Sequence, residues 1–90
     1  MDIRGELLER FAFALPAKVA EAERLHPHFR GLSCVASEYA DLVKAVEAGD
    51  LEDVRRQCGH LAVVACRLFL QAWMEPGRVL DEKAEEEKRG

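Results

Sequence analysis

LEDVRRQCGHLAVVACRLFLQAWM, residues 51–74, is the stretch that decides the fold. Leu51, Val54, Cys58, Leu61, Ala65, Leu68 and Ala72 recur at intervals of three and four, the period of one helix face. Val63, Val64, Cys66 and Leu70 spread apolar surface well beyond that stripe. A helix that is apolar on most sides is buried on most sides, and two other helices in a 90-residue chain cannot cover it. Its outer face is therefore expected to be a seam between copies of the chain.

The signals on either side of this helix are strong. Gly49 suits the left-handed position that ends a preceding helix, Asp50 can cap the next one, and Glu52 and Asp53 place negative charge in its first turn. Upstream, Leu32, Val35, Ala36, Tyr39, Leu42, Val43 and Val46 form the apolar stripe of a helix expected from about Leu32 to Ala48. Pro27 and Gly31 mark residues 26–31 as a loop, with Phe29 packing on the core. His26 and His28 flank that proline without a third ligand nearby, so they read as turn residues. The first segment carries Ile3, Leu7, Leu8, Phe11, Leu15, Val19, Ala22 and Leu25 on a helical stripe, with a kink expected at Pro16. Downstream, Pro76-Gly77 ends the long helix. Residues 76–90 form a charged tail, and Asp81 to Gly90 carry five acidic and three basic side chains, expected to be a solvated helix extension or disordered. Residues 1–75 are then a single helical domain.

Composition agrees with this reading. Thirteen Ala, eleven Leu and twelve Glu stand beside no Thr, no Asn and one Ile, which favours an all-α protein, a small bundle of three main helices. A chain this short buries only about 60 to 65% of its unfolded surface, so completion of the core by homo-oligomerisation, as dimer or tetramer, is expected. Thirteen basic against seventeen acidic residues, a net charge of −4, argue against a nucleic-acid partner. No apolar run reaches the roughly 18 residues of a membrane span, and Glu6, Glu9 and Arg10 interrupt any signal-like core, so no membrane partner and a cytoplasmic location are expected. Cys34, Cys58 and Cys66 lack CxxC spacing and read as free, buried thiols.

Two polar pairs stand out. Glu38 and Asp41 share one face of the second helix at i and i+3, and Gln57 and His60 hold the same relation on the third. If these helices pack antiparallel, the pairs can face one another across a groove.

Here the chain resembles a family. His26-Pro27-His28-Phe29, Ser37-Glu38-Tyr39-Ala40-Asp41-Leu42, and the run from Gln57 to Arg67 make residues 26–70 similar to the MazG-like all-α nucleoside triphosphate pyrophosphohydrolases, especially their short phage and prophage forms. The resemblance implies two acidic pairs holding a divalent metal, Mg²⁺ or Mn²⁺, that binds a nucleotide triphosphate and activates water, releasing monophosphate and pyrophosphate. Carried over residue by residue, it implies Glu38 and Asp41 as catalytic and metal-binding, with Gln57 and His60 completing the metal set. The second pair departs from the family pattern, since Gln57 is neutral and His60 offers nitrogen, which suits Mn²⁺, Fe²⁺ or Zn²⁺ better than Mg²⁺. Two readings follow: a metal-dependent pyrophosphohydrolase, or a non-catalytic helical homodimer of the same fold acting as a binding or assembly module.

Overall fold

The computed structural model describes the backbone of residues 2–89 and the side chains of residues 2–83. Four α-helices make up the described chain, α1 Ile3–Leu25, α2 Gly31–Ala48, α3 Leu51–Met74 and α4 Pro76–Arg89, and no strand is present among the described residues. None of these helices is long and apolar enough to cross a membrane.

Local chemistry sets the boundaries. Asp2 caps α1 by accepting from the Gly5 amide at 2.8 Å, and α1 continues unbroken through Pro16. The helix stops at His26, where Pro27 disfavours a further helical residue. Gly49 ends α2 with φ of 71°, its amide donating to the Val46 carbonyl while the Asp50 amide reaches the Ala45 carbonyl. This double bond to the last turn needs the left-handed conformation that glycine adopts without a Cβ penalty. Asp50 then accepts from the Asp53 amide at 3.0 Å and opens α3.

Those two residues fold α2 and α3 into an antiparallel hairpin, the best-packed pair in the molecule. At one end Gly31 lies so close to α3 that a Cβ there would stand 2.6 Å from Leu68 Cδ1. Seven residues further along α2, Glu38 meets His60, eight residues back along α3. On α2 the inward face is Gly31, Cys34, Glu38, Asp41 and Ala45; on α3 it is Val54, Gln57, Leu61, Val64, Leu68 and Gln71, all at alternating steps of three and four. The wheel is thus turned relative to the stripes expected from sequence. Leu32, Tyr39 and Val46 on α2, and Leu51, Phe69 and the exposed Cys58, Ala65 and Ala72 on α3, point away from the partner helix. The residues expected at an outer seam are partly covered within the chain: Val63, Val64 and Cys66 are half-buried, Val63 and Val64 lining the cleft beside α1.

Helix α1 rests on α3, its Phe11 lining the same cleft as Arg55 and Arg56 and its Glu23 the same recess as Leu70 and Met74 near the end of α3. Phe29, in the loop between α1 and α2, is buried under the Arg67 guanidinium, 4.3 Å from the ring centroid. Arg67 also donates to the His26 carbonyl at 2.7 Å, tying that loop to α3.

The charged tail has a structural role. Arg30 stands at the cap position of α2 without a side-chain capping bond of the local kind. Instead Glu82, from α4, accepts from the Ser33 amide at 3.0 Å and is 8% exposed. A carboxylate from a distant helix therefore satisfies one of the orphan donors and lies at the positive end of the α2 dipole. Pro76 opens α4 at the first-turn position, where its missing amide costs nothing. The charged side chains from residue 84 onward lie outside the described residues.

Glu82→Ala should lower the urea midpoint by an amount equivalent to about 1–2 kcal/mol, since it strands the Ser33 amide. Gly49→Ala should cost about 1 kcal/mol through left-handed strain alone, because the space around that Cβ is open. A Glu82 variant as stable as wild type would mean that α4 caps nothing in solution.

Candidate functional site

The helices leave an open cleft of about 850 Å³ between α1 and the α2·α3 hairpin. Its apolar floor comes from Phe11, Ala22, Phe29, Val63 and Val64. Around that floor stand Lys18, Arg55, Arg56 and Arg67 against the acids Glu21 and Glu38, together with all three histidines of the chain. Four basic against two acidic groups make this a cationic cleft in a protein of net charge −4. Arg56 is held by Asp53 at 2.8 Å and Arg67 by the His26 carbonyl. Lys18 and Arg55 have no ion pair or hydrogen bond among the described residues.

The structure brings the two sequence-derived pairs onto the same helix seam, but not to one point. Glu38 Oε2 and His60 Nδ1 lie 3.8 Å apart, within ion-pair range for a protonated imidazole and too far for a hydrogen bond. Both line the cleft, whereas Asp41 and Gln57 do not. Gln57 donates through Nε2 to Asp53 Oδ1 at 3.1 Å, so that its carbonyl oxygen is left facing the seam. Glu38 Oε2, Gln57 Oε1 and Gln71 Oε1 are buried without a hydrogen-bond partner, and all three belong to inward-facing positions of the hairpin. Among the described residues no three His, Cys, Asp or Glu side chains gather where they could hold a metal ion. The donor set therefore does not fit a Mg²⁺ centre: one carboxylate and one imidazole converge, and the ion prefers about six hard oxygens.

The cleft-lining cations that sequence reasoning passed over are Lys18, Arg55 and Arg67. Lys18 lies 37 and 49 positions before Arg55 and Arg67, on a helix that only tertiary packing makes a neighbour of theirs. His26 and His28, read from the sequence as turn residues, also border the cleft. None of the three cysteines is paired; Cys58, turned away from α2, is exposed rather than buried as the sequence suggests, and Cys34 and Cys66 are half-buried.

An inward carboxylate with an orphaned oxygen is costly, and leucine has nearly the same volume. Glu38→Leu should therefore match or exceed wild type in stability, by up to about 1 kcal/mol, as read from thermal or urea unfolding. A loss larger than 2 kcal/mol would mean that Glu38 has a stabilising partner at this seam. The functional reading rests on the geometry of the cleft, because no protein-family model, curated protein or solved structure matches this chain.

Proposed function

We propose that this chain is a helical module, of the MazG-like type and acting as a homo-oligomer, that binds a nucleotide or a similar organic phosphate in the cleft between α1 and the hairpin without hydrolysing it. The observation that carries the reading is the pair of uncommitted cations, Lys18 and Arg55, on a cleft whose floor is aromatic and aliphatic. Arginine and lysine suit phosphate oxygens, the apolar floor suits the body of a base or ring, and a low-dielectric wall strengthens the attraction. Glu38 beside His60 adds an acceptor and a titratable donor at one rim.

The alternative is metal-dependent pyrophosphate release by Glu38 and Asp41 with Gln57 and His60. What favours it is the orphaned oxygens of Glu38 and Gln57 on the one seam. What weighs against it is that Asp41 lies off the cleft and no third acid joins His60.

Calorimetric titration with ATP and with inorganic pyrophosphate, in chelator, decides between the readings. Metal-independent binding is expected, weakening as salt rises, and Lys18→Glu with Arg55→Glu should reduce affinity at least tenfold while leaving the fold intact. No binding of either compound would remove the proposal. Pyrophosphate release from nucleoside triphosphates in Mn²⁺, lost in Glu38→Ala, would establish the hydrolase instead. The paired substitution Gln57→Glu with His60→Asp should then raise activity in Mg²⁺ by restoring hard oxygen ligands.

A further inference from the structure

A glycine inside a helix lowers its stability relative to alanine, so each one calls for a local reason. Gly49 has one in its left-handed φ of 71°, and Gly31 has one in the close approach of Leu68. Gly59 has neither. It lies well inside α3, its φ is not positive, and a Cβ built on it would meet nothing within 4 Å beyond its own turn of helix, although the residue is half-buried.

That open space is part of the cleft. Gly59 lines it, and so do Arg55, Arg56 and Val63, which stand three and four positions away on the same helix face. The α3 wall of the cleft therefore has a gap in its row of side chains, with two arginines on one side of the gap and a valine on the other. Backbone in the middle of a helix has its amides engaged in the helix ladder, so the gap offers a phosphate no donor. What it does offer is a close, uncharged surface for van der Waals contact with a flat group. Phe11 and Ala22 of α1 line the same cleft and add apolar surface for such a group.

We propose that Gly59 is the specificity-determining residue of the cleft: the ring of a ring-bearing organic phosphate, such as the base of a nucleotide, lies against the bare α3 backbone at Gly59 while its phosphates reach Arg55 and Lys18. The inference rests on the function proposed above and deepens it, since it has the ring and the phosphates held by different parts of one cleft. A methyl group at position 59 would occupy the space of the ring and leave that of the phosphates free. It would also improve the helix, because alanine is the best helix former and nothing would be displaced. A variant that gains stability and loses ring binding together is an outcome that general damage to the fold does not produce.

Calorimetric titration in chelator with ATP and with inorganic triphosphate, which share a phosphate chain and differ in the ring, tests the assignment beside thermal unfolding. Gly59→Ala should melt about 4–8 °C above wild type, bind ATP about tenfold or more weakly, and keep its affinity for inorganic triphosphate. Gly77→Ala, in the first turn of α4 and outside the cleft, also fills open space and should leave ATP affinity unchanged. An ATP affinity that Gly59→Ala does not alter, an equal loss for ATP and inorganic triphosphate, a lower melting temperature in Gly59→Ala, or an equal weakening of ATP by Gly77→Ala would overturn the role of Gly59 while phosphate binding by the cleft stood. A wild type that binds neither compound would remove both.

Discussion

Everything in this molecule depends on the turn at Gly49 and Asp50. One left-handed glycine and one capping aspartate reverse the chain between α2 and α3, and the absence of slack in a two-residue connection fixes their antiparallel register. That register sets Gly31 against Leu68 and Glu38 against His60, and with them the rim of the cleft. It also decides which side of each helix is left over once the hairpin has closed. The cleft and the apolar residues left exposed on both helices are two consequences of the same pairing.

The hairpin closes at the expense of its polar groups. Its inner faces carry Glu38, Asp41, Gln57 and Gln71 among small and aliphatic residues, and three of their oxygens are buried without partners. Among the described residues only Val19, Phe29 and Ala45 are buried apolar residues, and no side chain is fully enclosed. The rest of the apolar contact in the hairpin comes from half-buried residues such as Leu42, Val54, Leu61, Val64 and Leu68.

Much of the architecture was legible in local chemistry. The Gly49-Asp50 turn, the loop at Pro27, the buried Phe29 and the helical class follow from rules that act within a few residues, and the structure carries all of them. The tail was legible only as a helix extension: that Glu82 caps α2 depends on an approach across 49 positions of sequence, which periodicity cannot register. The stripes on α2 and α3 were found correctly as apolar, yet half of each faces outward, because a wheel shows which side is greasy and says nothing of what will cover it. The pairs Glu38 with Asp41 and Gln57 with His60 were picked out by spacing, but only Glu38 and His60 border the cleft, since 60° of helix rotation is enough to turn their neighbours along the seam instead.

The sequence by itself determined where the main helices start and stop and that the chain is all-α, because capping, proline and glycine effects and composition are local or additive. Only the tertiary structure decided which cations meet at the cleft, which polar oxygens are left orphaned, and which apolar residues stay exposed. Those outcomes depend on the relative rotation of packed helices, and rotation is set by contacts such as Gly31 against Leu68 that join residues far apart in the chain.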